Sequence, residues 1–340
     1  MAGPEVKKPA APAKKKRGEY RRQLLAPILV LAVFILVRVS GLIDSKLTRE
    51  SEHAAVILLE ILIFMLPSAA YLAYTRNTAG LRIRLFGIGH LLLILSAVLM
   101  TESGSVLLNC LTGGYEELSR NYDLWGIFIS KSGTGAADTV YIILAYALLP
   151  AICEEFVFRA VLCREYERRS IAAALFLPAL FFAMLHFDIR RFPAFFLAGT
   201  VFAITMYASR SVLAAVAVHF VCNLISLFSK PYMKSLWDLG GEKFFFFLIT
   251  AVFLLFGFVF FAEAARLYRR YAAGGFSDSY REMIPPPPSP SEAEGGKANY
   301  PLQLAARHPA IAATLSALLS PTALLCYIFF AAVVLLSTGV

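Results

Sequence analysis

Long hydrophobic runs dominate the chain, and short polar or basic segments separate them. The first run extends from Leu24 to Ile43. The later runs cover residues 54–74, 85–108, 139–162, 171–190, 192–208, 211–228, 244–265 and 310–336. Most have the roughly twenty residues that a helix needs to cross a bilayer, and all are too long for the strands of a membrane barrel. The pattern predicts an all-α fold, a polytopic transmembrane helix bundle of about eight core helices plus one appended C-terminal helix.

The polar segments divide the chain into four parts. Residues 1–23 are rich in Lys, Pro and Ala and are predicted to form a disordered basic cytoplasmic arm. Residues 24–270 form the predicted bundle. A Pro-rich polar linker, 271–309, separates it from an extra transmembrane helix in 310–340, which we interpret as a regulatory or dimerising appendage.

Composition supports a multi-pass membrane protein, because the chain is 59% hydrophobic and only 16% charged. Soluble domains have about 45–50% apolar and about 25% charged residues. The net charge of +9 does not indicate a nucleic-acid partner here, since the basic residues cluster between apolar runs. Of the 32 Lys and Arg residues, 21 fall on the side of the N-terminus and 9 on the other. This asymmetry predicts a cytoplasmic N-terminus and, with nine spans, an outside C-terminus. Anionic lipid headgroups are a predicted partner of the basic arm.

Two charges outside the central runs are also embedded. Arg38 and Glu60 lie at similar depth in the first two predicted helices, so we expect an ion pair between them. The Gly- and Ser-containing segment 101–138, which includes Glu102, is predicted to be an outer loop.

The run 139–162 carries two acids and a base, Glu154, Glu155 and Arg159. Ionisable groups at membrane depth are expensive and indicate function. Glu155 and Arg159 are four residues apart with the acid first, which favours an ion pair on one helical face. Glu154 lies about 100° round the helix and has no local cation, so it is left for chemistry. Pro150, one turn earlier, predicts a kink that could admit water.

Two further polar pairs lie in later runs. His186 follows Phe182 by four residues, and Asn223 follows His219 by the same spacing, which places each pair on one helical face. A single intramembrane His usually joins helices by a hydrogen bond. Two His, one Asn and one Glu on three helices instead suggest a common site in the bundle interior.

These motifs, Glu-Glu-x-x-x-Arg, Phe-x-x-x-His and His-x-x-x-Asn in this order, resemble those of the CPBP intramembrane proteases. That family includes the type II CAAX prenyl endopeptidases and the Abi-type bacteriocin-processing proteins. The resemblance covers a motif core at residues 139–228. It implies an intramembrane endopeptidase of the glutamic type, acting on a membrane-associated protein or peptide that is prenylated at a CAAX end or carries a leader.

The resemblance also implies roles for the motif residues. Glu154 and His186 would activate the attacking water, while His219 and Asn223 would stabilise the oxyanion. Arg159 would fix Glu155, with Phe182 supporting the site. No cofactor is expected, because Asn is a poor zinc ligand and no His-Glu-x-x-His motif occurs; the alternative is zinc held by Glu154, His186 and His219.

Two other function classes remain open. One is a non-proteolytic scaffold or immunity factor of the same family. The other is a proton-coupled transporter that uses Glu154, His186 and His219 as a relay. Depth raises one difficulty, because His186 lies fifteen residues beyond Ile171 and hence deeper than Glu154 and His219. We therefore expect residues 163–174 to lie partly along the membrane interface.

Overall fold

The computed structural model describes residues 13–44, 49–75, 81–121, 135–167, 170–273 and 309–337. Within these ranges the chain is helical and contains no strand, which confirms the all-α prediction. The ten helices are α1 (Ala13–Asp44), α2 (Arg49–Thr75), α3 (Leu91–Asn121), α4 (136–167), α5 (Ile171–Leu185), α6 (Phe192–Ser209), α7 (Val212–Phe228), α8 (Lys230–Ala273), α9 (Pro309–Leu318) and α10 (Pro321–Ser337).

The membrane-spanning character of the bundle follows from helix length and apolarity. Among the described residues, five helices are long and apolar enough to cross a membrane, and the bent pair α9–α10 would make a sixth. Helices α1, α5 and α7 have shorter apolar stretches, so all nine predicted runs are helical. The protein is therefore a multi-pass membrane protein.

Helix α5 lies in the centre of the bundle. It is hydrophobic all round, as expected of a helix that is enclosed by others, and ten of its fifteen residues are buried. It packs against α4, α6 and α9. The contact with α6 is close at Gly199, where an added Cβ would lie 3.0 Å from the Ala179 Cα, so only a glycine allows this approach.

Helix α4 carries the acidic motif and departs from regular α-helical geometry. Two stretches, Leu144–Leu148 and Phe156–Cys163, are π-helical, and they flank the short α-helical piece Leu149–Glu155. Pro150 lies two residues after the end of the first stretch, in keeping with the predicted local distortion. π-Helical turns occur often at functional sites because they re-aim side chains.

Several predictions about the ends of elements are wrong. Helix α1 begins at Ala13, inside the predicted disordered arm, because Lys, Arg, Gln and Leu are good helix formers that extend the apolar helix. Helix α3 continues to Asn121, so Glu102 lies in a helix and not in an outer loop. Helix α8 extends to Ala273, into the predicted linker. Residues 1–12 and 274–308 lie outside the described residues.

The C-terminal helix pair is part of the bundle and not an appendage. Helix α10 packs against α1, where the Cys326 thiol donates a hydrogen bond to the Pro27 carbonyl at 3.2 Å. The Tyr327 ring stacks on Phe181 of α5. Helices α9 and α10 meet at a bend of 57°, so the predicted single helix is broken. Burial of the apolar faces of this helix pair against α1 and α5 is more favourable than leaving them unpacked. The predicted linker, 271–309, is long enough to allow this packing.

One expectation about charged residues also fails, and one about interfacial residues is not decided by the contacts. Arg38 lies over the Phe187 ring at 5.5 Å, while Glu60 Oε1 is buried without a hydrogen-bond partner, so the predicted ion pair does not form. Residues 164–167 continue α4 and are buried, as is Ala173. Glu167 pairs with Arg82 at 2.6 Å and is thereby accommodated inside the protein. The interfacial position of residues 163–174 stays a prediction.

Candidate active site

The site is built around a buried ion pair on α4. Arg159 Nη1 donates to Glu155 Oε1 at 2.9 Å, and both side chains are fully enclosed. Arg159 Nη2 donates to the Gly199 carbonyl of α6 at 3.0 Å. The predicted i,i+4 pair is therefore present, and it also joins α4 to α6.

Aromatic rings surround the Arg159 guanidinium and replace the water it has lost. Its Cζ lies 4.6 Å from the Phe182 ring centre, 5.3 Å from Phe202 and 5.9 Å from Phe158. The π faces of such rings attract a cation, and the attraction grows when the cation is desolvated. Phe182 thus supports the ion pair as well as the helix it belongs to.

His219 of α7 is held by the same carboxylate. Its Nδ1 lies 2.9 Å from Glu155 Oε1, and its ring stacks on Phe202 with the centres 4.8 Å apart. A carboxylate can only accept, so Nδ1 carries the proton of this hydrogen bond. In the neutral imidazole Nε2 is then a proton acceptor. This arrangement fixes both the tautomer and the orientation of the ring.

His186 is fixed in a similar way at the end of α5. It is the C-cap residue, and its Nδ1 lies 2.9 Å from the Phe182 carbonyl, which again makes Nδ1 the donor. Its ring stacks on Phe195 of α6 with the centres only 3.6 Å apart. Phe182 contacts both imidazoles edge-on, at 5.2 Å from His186 and 5.6 Å from His219. Two histidines from separate helices are thereby held on either side of one ring.

Both imidazoles line a cavity between α3, α5, α6 and α7. The cavity contains about 560 Å³ of empty space, part of it open to the outside. Asn223 lies on its wall, so three of the four predicted catalytic residues share it. The other lining residues are Thr101, Glu102, Ser105, Asn109, Phe182, Arg191, Ala194, Phe195, Ala198, Phe202, Cys222 and Ser226. Few of these are charged, and the polar groups converge from several helices, as in many ligand sites.

Asn223 connects the cavity to the distorted part of α4. Its Nδ2 donates to the Ala147 carbonyl at 3.2 Å, within the π-helical stretch that precedes Pro150. An amide nitrogen has two hydrogens, so one remains available for a ligand. Asn223 can therefore donate to an oxyanion in the cavity while it stays anchored to α4.

Glu154 is the predicted site residue that the structure does not bring to the cavity. It is not among the lining residues, and its Oε2 is buried without a hydrogen-bond partner. It lies within electrostatic reach of Glu60 on α2, which packs against α4. Successive residues of a helix point about 100° apart, so Glu154 points to a different side of α4 when Glu155 is directed to His219. The predicted Glu154–His186 pair is not formed.

Sequence reasoning missed two charged residues of the cavity, Glu102 and Arg191. Glu102 is hydrogen-bonded to the Cys222 thiol of α7. The signal was available, since Glu102 falls inside the apolar run 85–108 and is thus an embedded carboxyl. Arg191 was counted as an outer-loop cation because it directly precedes the run 192–208.

The predicted zinc alternative does not fit the arrangement of donors. Zinc needs its ligand atoms at about 2.0–2.2 Å from one point. His186 and His219 share the cavity, but Glu154 is absent from its wall. In the described parts of the chain, no group of three His, Cys, Asp or Glu side chains is placed to hold a metal ion.

Comparison with known proteins agrees with the motif reading. The family described as Rce1-like, type II CAAX prenyl endopeptidase Rce1-like, matches residues 136–225. This range includes all three motifs, and the match confirms the resemblance that they predict. No curated protein and no solved structure matches the chain. The family implies a peptidase in general terms.

Proposed function

Because residues 136–225 match a family of prenyl endopeptidases, we propose that this chain is an intramembrane endopeptidase. Its substrate would be a membrane-associated protein or peptide, with a prenylated CAAX end as the first candidate class. The observation that carries the proposal is the shared cavity of His186, His219 and Asn223 inside a helical bundle. Peptide hydrolysis needs a proton acceptor for water and donors for the oxyanion, and both kinds of group are present there.

The imidazoles and the amide have complementary tasks in this proposal. His186 Nε2 accepts a hydrogen bond from the attacking water, since Nδ1 is engaged with the Phe182 carbonyl. The water oxygen attacks the scissile carbonyl carbon, and the resulting oxyanion accepts the free N–H of Asn223. His219, oriented by Glu155, lies beside Asn223 on the same helix face. In this proposal it serves the same oxyanion as an imidazolium, in which Nε2 also carries a hydrogen and can donate.

On the strength of the motif, Glu154 is proposed as the base that takes the proton from water. When the tetrahedral intermediate collapses and the C–N bond breaks, Glu154 gives this proton to the leaving amine nitrogen. Its carboxylate must enter the cavity to act, because it does not line the wall in this structure. The π-helical stretch Phe156–Cys163 begins two residues later. π-Helical turns occur often at functional sites, which supports a functional role for this part of α4.

We propose that the reaction needs no metal ion and that the N-terminus is cytoplasmic. The donor arrangement described above supports a metal-free site. The charge asymmetry between the two sets of connecting segments supports the orientation, with the C-terminus outside. Anionic lipid headgroups remain the proposed partner of the basic N-terminal residues.

The test uses the full-length protein, purified in detergent, and a fluorescence-quenched peptide that ends in S-farnesyl-cysteine and three aliphatic residues. Wild-type protein should cleave after the modified cysteine, as read by mass spectrometry. Glu154→Gln should remain folded and lose activity. Glu263→Gln is the matched control, because Glu263 is an embedded acid of α8 that pairs with Arg266 away from the cavity.

Three outcomes would contradict the proposal at different points. Cleavage of neither this peptide nor membrane proteins captured by the Glu154→Gln variant would refute the peptidase assignment. Full activity of Glu154→Gln would refute Glu154 as the base. Equal losses in Glu154→Gln and Glu263→Gln would show a general sensitivity of embedded acids instead of a catalytic role.

A further inference from the structure

Arg191 is a cation of the cavity without an anionic partner among the residues that the structure describes. It lies directly before α6 as its N-cap residue, and its guanidinium is 4.8 Å from the Phe195 ring centre. No carboxylate in the described part of the chain forms an ion pair with it, and its Nε is buried without a hydrogen-bond partner. Asp188 accepts a hydrogen bond from the backbone N–H of Arg191, not from the guanidinium. Arg191 is partly exposed, but its Nε is buried and has no hydrogen-bond partner, so a cation at this place on the cavity wall favours an anionic ligand.

Two neighbours bear on the charge at this position. Arg191 stands at the N-terminus of the eighteen-residue helix α6, whose dipole adds partial positive charge there. The carboxyl group on the cavity wall, Glu102, is hydrogen-bonded to Cys222 of α7 and does not pair with Arg191. The positive charge therefore remains available to a ligand that enters the cavity.

The stacked rings define the distance between Arg191 and the proposed chemistry. The Phe195 ring centre is 4.8 Å from Arg191 Cζ and 3.6 Å from the His186 ring centre. The guanidinium thus lies at most roughly 8.4 Å from the centre of the imidazole ring, a distance that no more than about three residues of extended chain would span. A group bound at Arg191 would belong to the same substrate whose scissile bond lies at His186.

We propose that Arg191 binds a carboxylate of the substrate, two or three residues to the C-terminal side of the scissile bond. The proposal rests on the proposed function, because it names a subsite of the same cavity. A guanidinium matches a carboxylate with two parallel hydrogen bonds, which makes it a specificity group and not merely a charge. The carboxylate is either the free C-terminus of the substrate or an acidic side chain, and the experiment distinguishes the two.

Three farnesylated peptides separate these sources. The first ends in a free carboxylate, the second in a carboxamide, and the third in a carboxamide with Asp as its last residue but one. For wild-type protein, kcat/KM should be roughly tenfold or more higher for the acid than for the amide, as expected for one hydrogen-bonded charge pair. Preference for the Asp-containing amide instead would assign the subsite to an acidic side chain.

Arg191→Gln should bring the ratio of acid to amide close to one. Arg190→Gln is the matched control, because Arg190 is the exposed neighbour that does not line the cavity and its loss changes the net charge equally. It should keep the wild-type ratio. Arg191→Lys, which retains the charge without the planar fork, should give an intermediate ratio and serves as the second variant if Arg191→Gln does not fold.

Binding of the labelled peptides, measured by fluorescence anisotropy, separates failure of this proposal from failure of the proposed function. If wild-type protein cleaves none of the three peptides, the peptidase assignment fails. Tighter binding of the peptide with the free carboxylate, if it depends on Arg191, would still establish the subsite. Equal affinity and equal kcat/KM for all three peptides would overturn it. A preference that survives in Arg191→Gln would overturn it as well.

Discussion

The two adjacent glutamates of α4, Glu154 and Glu155, have different surroundings on the two sides of the helix. Glu155 Oε1 accepts hydrogen bonds from Arg159 of α4 itself and from His219 of α7, and Arg159 also donates to α6. Glu154 lies near Glu60 of α2, and each of these two carboxyl groups has a buried oxygen without a hydrogen-bond partner. One face of the helix thus carries a charge-paired network, in which only Glu155 Oε2 and Arg159 Nε lack a hydrogen-bond partner, and the other carries two acids without an ion pair among the described residues.

This difference separates holding a structure from doing chemistry. A buried charge with complete partners joins helices, and removing one partner leaves the other exposed to the full desolvation cost. An unsatisfied carboxyl group costs stability but is free to receive a water molecule or a proton. Such groups persist where function maintains them. Neutralising a carboxyl group at the contact of α2 and α4 should therefore cost less stability than neutralising the one at the contact of α4 and α7.

The largest effect should come from Arg159→Ala, because it leaves Glu155 buried and unpaired. Loss of one partner of a buried pair costs about 3–5 kcal/mol. The free energy of unfolding in a mixed-micelle SDS titration should fall by that amount, and the yield of monodisperse protein should fall with it. Arg38→Ala is the control, since Arg38 is exposed and lies over Phe187 without an ion pair.

A comparable loss of unfolding free energy in both variants would show that the ion pair of Arg159 contributes no more to stability than the exposed Arg38 does. Arg159→Lys should recover part of the stability, because it keeps the charge but loses the bond from Nη2 to the Gly199 carbonyl.

Asn223→Ala should reduce the rate of peptide cleavage by roughly 10²–10³ with little change in KM, as for other oxyanion donors. Ser226→Ala is a matched control on the same helix, since Ser226 also lines the cavity. If KM rises while kcat is unchanged, Asn223 contributes to substrate binding and not to the transition state. If both variants lose activity equally, the whole wall of α7 is needed.

Much of this organisation could be predicted from the sequence, because helices in a membrane need long apolar runs. The ion pair of Glu155 and Arg159 followed from their spacing. The hydrogen bond between Glu155 and His219 could not be predicted in this way, since a motif gives the face of one helix but not which neighbouring helix packs against it. The position of Glu102 was missed because glycine and serine residues around it resemble a loop, although α3 passes through them. The predicted ion pair between Arg38 and Glu60 does not form, because equal depth in the membrane does not make two helix faces pack against each other.

The contrast between the two glutamates can be tested on stability alone. Glu154→Gln should leave the free energy of unfolding equal to the wild-type value or up to about 1 kcal/mol higher, since it removes a poorly solvated carboxyl group. Glu155→Gln should lower it, because Arg159 then loses its charged partner. Glu60→Gln should behave like Glu154→Gln. A loss of stability in Glu154→Gln as large as that in Glu155→Gln would mean that the two faces of α4 are equivalent.

The smallest expected effect is that of metal removal, for which we predict none. His219 directs Nδ1 to Glu155, His186 directs Nδ1 to the Phe182 carbonyl, and Glu154 lies off the cavity wall. A zinc ion bound by both Nε2 atoms would still need a third protein ligand from this wall, together with an open position for water. Dialysis of the purified protein against a chelator should leave kcat and KM of peptide cleavage unchanged, with less than stoichiometric zinc by elemental analysis. The control is a zinc-dependent peptidase treated in the same detergent and chelator. Activity that disappears on chelation and returns with zinc alone would make Glu154 a ligand, and would require α4 to turn its acidic face into the cavity.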